Sequence, residues 1–270
     1  MKKLHVNWKK IVTVCLDIVL AVYLVFAVTS FNKPDERTKV CTKVSIDIED
    51  EATNGFISKY EVKNRLEQSH LYPLSQPIGK IDARRIEETL QQSPFVRNAE
   101  CYKTLDGNVY ISLSQRLPIV RIKAASGDDY YMDDNNSVMP NSNYTSDLII
   151  ATGYITRQFA SYYIAPLAKA INANELWKNQ IVQINVTPDH SIELVPRVGD
   201  HIINIGRLPI SKYRSEREKQ IHEFVDKQLT RLKKFYQYGL SQAGWNKYTY
   251  IDLEFTNQII CKKKKEQETE

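Results

Sequence analysis

The residue types that most often carry out chemistry are present in this sequence but are scattered along it. The histidines stand far apart, and none belongs to an H-E-x-x-H pair or a similar metal-ligating spacing. No G-x-S-x-G nucleophile motif occurs, and the nine glycines form no phosphate-binding loop. Neighbouring carboxylates, as in Glu87-Glu88 and Asp133-Asp134, do not face each other across a substrate. We therefore predict no catalytic, cofactor-binding or metal-binding residue, and no enzymatic activity. The histidines are His5, His70, His190, His201 and His222.

The four cysteines could bind a metal ion or form disulfides, but their spacing favours neither. Cys15, Cys41, Cys101 and Cys261 form no C-x-x-C motif, so a zinc site or a dithiol redox pair is not expected. Cys15 lies in an apolar run, and the other three are interpreted as small buried hydrophobic residues. One disulfide among those three is the alternative if they lie outside the cytoplasm.

Charge is concentrated near the N-terminus of a chain whose composition is otherwise ordinary. The 270 residues include 37 basic and 32 acidic ones, for a formal net charge of +5, and 42% are hydrophobic. Four lysines precede the first apolar run and one aspartate lies within it, which leaves 33 basic and 31 acidic residues elsewhere. A nucleic-acid-binding protein normally has a clear excess of positive charge, so nucleic acid is not expected among the partners. The four lysines are Lys2, Lys3, Lys9 and Lys10.

The apolar run, residues 11–31, is predicted to be a transmembrane helix. At ~1.5 Å per residue it would span about 31 Å, close to the ~30 Å hydrocarbon core of a bilayer. The lysines before it place residues 1–10 in the cytoplasm and the rest of the chain on the outer side. A cleaved signal peptide is the alternative, although the run is longer than the apolar part of such a peptide. Asp17 is either tolerated near the headgroups or in contact with another membrane helix.

After a linker at 32–39, residues 40–118 are predicted to form the first soluble domain. Alternating apolar residues predict a strand over 40–48. Two helices follow, because Ser58 and Glu61 form a capping box and Asp82 is placed as a second N-cap.

A hairpin completes this first soluble domain. Strands are predicted on both sides of Asp106-Gly107, a dipeptide typical of a two-residue type I′ turn. The resulting order, β-α-α-β-β, predicts an α+β unit with two helices on one face of a three-stranded sheet.

Residues 119–261 are predicted to form a second, β-rich domain, followed by a charged tail at 262–270. Residues 214–240 have an apolar stripe typical of a long helix that packs on a core, and a coiled-coil partner site is the alternative. The domain ends in a hairpin of 248–255 and 259–261. The remaining predicted elements are strands at 119–123, 130–132, 148–151, 181–186, 192–195 and 201–205, and a helix near 166–177.

Several motifs of the first soluble domain resemble the POTRA domain of the FtsQ/DivIB cell-division family. The family places an acidic residue where this chain has Gln115, which leaves a salt bridge at that position unsupported. The motifs are Pro77-Ile78-Gly79-Lys80-Ile81-Asp82, Ile86 with Leu90, Ser93-Pro94-Phe95-Val96, Asn98-Ala99, Gly107-Asn108-Val109-Tyr110-Ile111 and Gln115-Arg116-Leu117-Pro118-Ile119-Val120.

The second domain is similar to the β domain of the same family, so the resemblance covers nearly the whole chain. It implies an α+β protein with an N-terminal transmembrane helix, a POTRA domain, and a mixed β domain with a long C-terminal helix and a terminal hairpin. The motifs are Tyr130-Tyr131-Met132-Asp133, Ala151-Thr152-Gly153, Trp245 and Tyr250-Ile251-Asp252-Leu253-Glu254-Phe255.

An unpaired strand edge can bind a partner, because a second chain can extend its row of free N–H and C=O groups. The terminal hairpin is the best candidate on the residues alone, with an ordinary sheet strand as the alternative. The resemblance implies that this strand receives small bitopic coiled-coil division proteins, FtsB-like or DivIC-like, together with an FtsL-like protein. The partner-binding residues expected on this basis are Tyr248, Tyr250, Thr256, Asn257, Gln258, Ile259, Ile260 and Cys261.

The first domain offers a second, weaker candidate surface at Cys101 and Lys103. The resemblance as a whole implies a non-enzymatic scaffold of the divisome, in the cell inner membrane with its body in the periplasm and enriched at the division site. One alternative is a POTRA-type module for outer-membrane protein assembly or secretion. Another is a membrane-tethered hydrolase with an unfamiliar site.

Overall fold

The computed structural model describes residues 8–31, 39–49, 55–104, 106–142 and 147–264. They divide into two compact units, and each is considered by itself. The first comprises the chain up to Glu49 with Ser58–Ser93 and Asn98–Ser114, and the second comprises Asp50–Ile57, Pro94–Arg97 and the chain from Gln115. The domain boundaries expected from the sequence remain predictions. The predicted fold class, an α+β protein with an apolar N-terminal helix, is confirmed.

Helix α1, Trp8–Phe31, contains the predicted transmembrane segment. Its stretch Ile11–Val28 has a mean hydropathy of 2.7 and no buried residue, and by length and composition it can cross a membrane. Asp17 lies inside this stretch. Residues 1–7 and 32–38, which hold much of the predicted cytoplasmic tail and linker, lie outside the described residues.

The two helices of the first unit begin where the sequence predicts. The Ser58 side chain accepts a hydrogen bond from the Glu61 N–H (3.2 Å), and the Glu61 carboxylate accepts one from the Ser58 N–H (2.8 Å). This capping box starts α2, Lys59–Gln68. The Asp82 carboxylate accepts from the Arg85 N–H at 3.1 Å and starts α3, Ala83–Gln91. Both caps satisfy N–H groups that the first turn leaves unpaired.

A three-stranded sheet forms the rest of the first unit, in the order β1-β3-β2. The strands are β1, Lys43–Ile48; β2, Val96–Lys103; and β3, Asn108–Gln115. β1 runs parallel to β3. The predicted first strand starts three residues too early, because Val40 forms only an isolated bridge with Pro77.

The turn between β2 and β3 is one residue longer than predicted. The Thr104 N–H donates to the Asn108 carbonyl (2.9 Å), and the Gly107 N–H donates to the Thr104 carbonyl (3.1 Å). Thr104 and Asn108 therefore close a three-residue loop, whereas the two-residue type I′ turn would pair position 105 with Asn108. Gly107 has φ of +86°, a conformation that glycine adopts without steric cost.

The second unit contains a nine-stranded sheet in the order β12-β11-β10-β9-β8-β7-β4-β5-β6. β7 is parallel to β4 and β8, β10 is parallel to β11, and the other neighbours are antiparallel. The strands are β4, Pro118–Ala124; β5, Asp129–Asp133; β6, Val138–Pro140; β7, Ile149–Gly153; β8, Ile181–Val186; β9, Ser191–Pro196; β10, Ile202–Arg207; β11, Tyr248–Asp252; and β12, Ile260–Lys263.

Helices of the second unit include one that begins earlier than predicted. The helix expected near 166–177 begins at Arg157, because Thr156 caps its N-terminus, and it ends at Asn172. Asn174 then caps a separate helix. The segments are α4, Arg157–Phe159; a π-helical turn, Ala160–Ile164; α5, Ala165–Asn172; and α6, Glu175–Gln180.

The predicted long helix is α7, Arg214–Phe235, extended by a π-helical turn, Tyr236–Leu240, and the short α8, Ser241–Ala243. Its apolar stripe is buried and α7 packs against α5, so core packing accounts for this face of the helix. The buried stripe residues are Ile221, Val225, Leu229 and Leu232.

A glycine is required where β7 meets β8. Gly153 has φ of +96°, and a Cβ there would collide with the Val186 carbonyl oxygen. The same carbonyl accepts a hydrogen bond from the Tyr154 N–H at 2.9 Å. The close approach of the two strands therefore explains the glycine of the Ala151-Thr152-Gly153 motif.

A buried ion pair lies beside β5. The Arg116 guanidinium is 2.8 Å from the Asp133 carboxylate, and their side chains are only 17% and 2% exposed. Arg116 also donates to the carbonyls of Pro94 (2.8 Å) and Val138 (3.2 Å). The second Asp133 oxygen accepts the N–H groups of Asn135 and Ser137. Both charges are thus compensated by several hydrogen bonds, as burial requires.

Gln115 takes the place of the acidic residue that the family pattern has before this arginine. Its side-chain oxygen accepts a hydrogen bond from the Ile57 N–H at 3.1 Å, and the residue is buried. An amide oxygen can satisfy this N–H as a carboxylate would, without the cost of burying a charge. Arg116 forms its ion pair with Asp133 instead.

Candidate functional site

The predicted terminal hairpin lies at one end of the nine-stranded sheet. β11 and β12 are antiparallel, with Asp252 opposite Ile260 and Ile251 opposite Cys261. β12 ends the strand order, so β11 is its one neighbour among the described residues. The strand predicted at 259–261 is shifted by one residue at its start and extends to Lys263.

The backbone direction of β12 determines which of its groups face the open edge. The Lys264 N–H donates to the Lys247 carbonyl at 2.9 Å, toward the β11 side. Successive residues of a strand direct their backbone groups to opposite sides, so Lys262 and Ile260 also face β11. The backbone groups of Cys261 and Lys263 therefore face the open edge.

The side chains of β12 alternate between a core face and an open face. Cys261 is half-buried and packs against the core beside the fully buried Ile251. Burial also raises the pKa of the Cys261 thiol, which makes it a poor nucleophile. Ile260 points to the other face and is 47% exposed. An exposed isoleucine at a sheet edge can pack against an added strand.

Tyr250 uses its hydroxyl within the sheet. It donates to the Glu193 carboxylate at 3.2 Å and so links β11 to β9 across β10. Burial and the nearby Glu193 carboxylate raise the pKa of Tyr250 to about 12. The neighbouring Asp252 accepts from the Asn204 amide at 3.0 Å. These bonds stiffen the sheet immediately beside its edge. The other predicted tyrosine, Tyr248, is partly buried with its ring 6.4 Å from that of Phe235.

The loop between the two strands, which contains the exposed Thr256, Asn257 and Gln258, is attached to helix α7 by one arginine. The Arg231 guanidinium donates to three carbonyls, those of Leu253 (2.8 Å), Phe255 (2.6 Å) and Gln258 (3.0 Å). Sequence reasoning missed this residue, since Arg231 is one of many charges on α7 and its partners lie more than 20 positions away.

An open groove lies between this loop and the helix. It has a volume of about 550 Å³, with Phe235 and Tyr238 on the helix side and residues 256–259 on the loop side. Ile259, one of the predicted site residues, therefore lines the groove and does not pair in β12. The groove continues the candidate surface from the edge strand toward α7.

A buried histidine lies immediately before β10, the strand next to β11. His201 is 2% exposed, and its Nε2 lies 2.7 Å from the Tyr236 hydroxyl. Burial lowers the pKa of His201, although Asp200 opposes the shift. Asp200 itself forms an ion pair with Lys264 at 3.5 Å, directly after β12.

The second predicted surface, at Cys101 and Lys103, has its groups engaged within the first unit. Cys101 is buried, and its N–H donates to the Glu87 carboxylate at 2.7 Å. Lys103 donates to the carbonyls of Ile78 and Ile81. Burial raises the pKa of Cys101 to about 11. β2 is an edge strand, but this surface stays a prediction.

The structure also locates the cysteines, the possible metal ligands and the adjacent carboxylates. All four cysteines are unpaired. Within the described ranges, no group of three or more His, Cys, Asp or Glu residues is arranged to hold a metal ion. The Glu87 carboxylate is used by Cys101, and Asp133 by Arg116, so each adjacent carboxylate pair has a structural partner.

We expect an Arg231→Met variant to lose the attachment of the terminal hairpin. Three backbone carbonyls would lose a charged donor, which should lower the free energy of unfolding by about 1–3 kcal/mol. Amide hydrogen exchange should accelerate over 253–260. Arg207→Met is the matched control, since its ion pair with Asp189 is exposed to solvent and its loss should change the stability little. Equal exchange at 253–260 in both variants would contradict the role of Arg231.

Comparisons with known proteins match both soluble parts of the chain. A POTRA-like domain matches residues 39–114, and the domain described as FtsQ/DivIB, C-terminal related, matches residues 117–262. The second match covers more than half of the 270 residues. No curated protein matches the chain. With the apolar N-terminal helix, the POTRA-like domain and the β-rich domain in this order, the chain belongs to the FtsQ/DivIB family.

Proposed function

We propose that this protein is a non-enzymatic scaffold of the bacterial divisome that binds its partner by strand addition to β12. Its FtsQ/DivIB-related domains suggest a division-associated scaffold, and the family is non-catalytic. The observation that carries the proposal is the position of β12 at the end of the sheet, with Cys261 and Lys263 directed to the open edge. An added strand would extend the sheet through these backbone groups.

The proposed partners are small bitopic coiled-coil division proteins, FtsB-like or DivIC-like and FtsL-like. Other divisome components would join through them. The contact surface would comprise β12, its neighbours Tyr248 and Tyr250, and the loop and groove at 256–259. Ile260 supports this arrangement because its exposed side chain would pack beside the added strand.

We further propose that α1 holds the protein in the cell inner membrane, enriched at the division site. Lysines before the apolar stretch favour a cytoplasmic N-terminus and a periplasmic body. In this arrangement the terminal edge would lie on the same side of the membrane as the outer portions of other bitopic division proteins.

Two truncations of the full chain test this proposal. Removal of 256–270 deletes β12 and should abolish co-purification of the FtsB-like or DivIC-like partner from membranes. Removal of 265–270 keeps β12 and should retain the partner. Partner retained after the longer deletion would contradict strand addition. Fluorescent fusions should concentrate at the septum, whereas an even envelope distribution would favour the outer-membrane assembly alternative.

A further inference from the structure

The proposed binding edge carries a dense group of positive charges. We define the terminal lysine cluster as Lys247, Lys262, Lys263 and Lys264, all of which are exposed. Lys264 forms an ion pair with Asp200 at 3.5 Å. The other three lysines form no ion pair with any part of the chain that the structure describes. Lys262 and Lys263 lie on β12 itself and would be the charges nearest to an added strand.

The acidic groups described on the open face of the sheet lie on strands β9 and β11, farther from an added strand than the lysines of β12. Asp252, on β11, accepts hydrogen bonds from the Asn204 amide (3.0 Å) and the Glu254 N–H (2.9 Å). Glu193 accepts from the Tyr250 hydroxyl and the Asn185 amide. Because these donors are neutral, both carboxylates keep their negative charge and partly offset Lys262, whose cross-strand partner is Tyr250.

The lysines of β12 occupy both faces of the edge. Lys262 is paired with Tyr250, on the face that also holds Ile260, and Lys263 is paired with Tyr248, on the face of Cys261. Side chains on an added strand would lie about 4.5–5.5 Å from the β12 side chains directly opposite. At this distance opposite charges stabilise the pair and like charges destabilise it.

We infer that the strand added to β12 is an acidic segment of a partner protein. This inference rests on the proposed function and narrows it to a partner with Asp or Glu beside Lys262 and Lys263. The lysines disfavour basic or neutral strands, so the same residues that protect an exposed edge from unspecific pairing also select the partner.

A second copy of this chain fits the edge poorly. In an antiparallel pair of β12 strands centred between Lys262 and Lys263, each of these lysines would lie opposite a lysine of the other copy. Several like charges would then lie within a few ångströms at the start of the interface. The charge of the edge therefore argues for a different chain as its occupant.

Two synthetic peptides test the inference on the full chain in neutral detergent micelles. One alternates valine and glutamate over ten residues, and the other alternates valine and lysine. Fluorescence anisotropy should show at least about tenfold tighter binding of the glutamate peptide at about 0.05 M salt. This preference should shrink at about 0.5 M salt, where screening is strong.

Charge-reversal variants test whether Lys262 and Lys263 cause the preference for the glutamate peptide. Lys262→Glu with Lys263→Glu should reverse the preference between the peptides. Lys123→Glu with Lys212→Glu is the matched control and should leave the preference unchanged. Lys212 is exposed just before the N-terminal end of α7, whereas Arg231, which holds the hairpin loop, is near the other end. Lys123 is exposed on β4, six strands from β12 and thus about 29 Å away at ~4.8 Å per strand. A control pair that also reversed the preference would overturn the inference.

The remaining outcomes separate this inference from the proposed function. Equal binding of both peptides, lost in Cys261→Pro, would refute the charge selection but leave strand addition standing. Binding of neither peptide would contradict strand addition and this inference together. A self-association that Cys261→Pro abolishes, seen by analytical ultracentrifugation, would make a second copy the occupant and overturn the inference.

Discussion

A Cys261→Pro variant is expected to bind the FtsB-like or DivIC-like partner at least about 100-fold more weakly than the unchanged protein. The Cys261 N–H faces the open edge, and proline removes it and places a ring where the added strand would lie. An unmet backbone group costs about 1–3 kcal/mol, and the ring would also prevent neighbouring bonds from forming. Affinity would be measured with the full chain in lipid nanodiscs.

The fold should tolerate this substitution. Proline is accepted in edge strands where its nitrogen faces away from the neighbouring strand. The free energy of unfolding should therefore fall by no more than about 1 kcal/mol. Cys261→Ala is the matched control, because it loses the same sulfur but keeps the N–H, and it should bind nearly normally. Similar affinities for the two variants would show that the partner does not pair with this edge.

The largest expected effect on stability comes from Arg116→Met. The substitution would leave the Asp133 carboxylate, whose side chain is 2% exposed, without its cationic partner. Removing one member of a buried ion pair costs about 3–5 kcal/mol. The carbonyls of Pro94 and Val138 would also lose a donor. Urea unfolding can be followed through the fluorescence of Trp177, which is buried in the second unit.

A second substitution tests whether the buried charge causes this loss. In Arg116→Met with Asp133→Asn, the asparagine oxygen can still accept the N–H groups of Asn135 and Ser137, and no charge is buried. We expect the double variant to be more stable than Arg116→Met alone. The loss of stability in the double variant can be compared with the sum of the losses in Arg116→Met and Asp133→Asn. If the two values were equal, the ion pair would contribute nothing beyond the separate hydrogen bonds of its two side chains.

Local features of the fold could be predicted because their causes lie within a few residues. Ser58, together with Glu61, starts one helix, and Asp82 starts another. Each of the two N-caps accepts a hydrogen bond from the N–H group three positions further along the chain. The first strand of the terminal hairpin could likewise be predicted from alternation around Ile251, although β11 ends at Asp252, three residues before the predicted end. The second strand starts one residue later than predicted, at Ile260, and Ile259 lines the groove.

Other features depend on residues that are far apart in the chain. The parallel pairing of β7 with β4 and β8 joins segments whose order no local pattern reveals. The early start of the helix at Arg157 was missed because Thr156 is a weak signal on its own, without the glutamate of a capping box. The turn at Gly107 was predicted one residue too short because Asp-Gly also suits a three-residue loop.

Only part of the candidate site could be predicted, because some of its contacts join residues that are far apart in the chain. Alternation and the family resemblance together predicted the terminal strand and the site residues Tyr248, Tyr250 and 256–261. The contribution of Arg231 could not be found, because it depends on carbonyls at 253–258 that only the folded chain brings to α7. Residues 262–270 were predicted to be a charged tail, whereas Lys262 and Lys263 lie in β12.

Amide hydrogen exchange of the full chain with and without the FtsB-like or DivIC-like partner tests the central claim most directly. Strand addition predicts that the amides of Cys261 and Lys263, which face the open edge, exchange at least about tenfold more slowly in the complex. The amide of Cys101, already bonded to Glu87, should be unchanged. A saturated complex in which Cys261 and Lys263 exchange as fast as in the free protein would contradict the account.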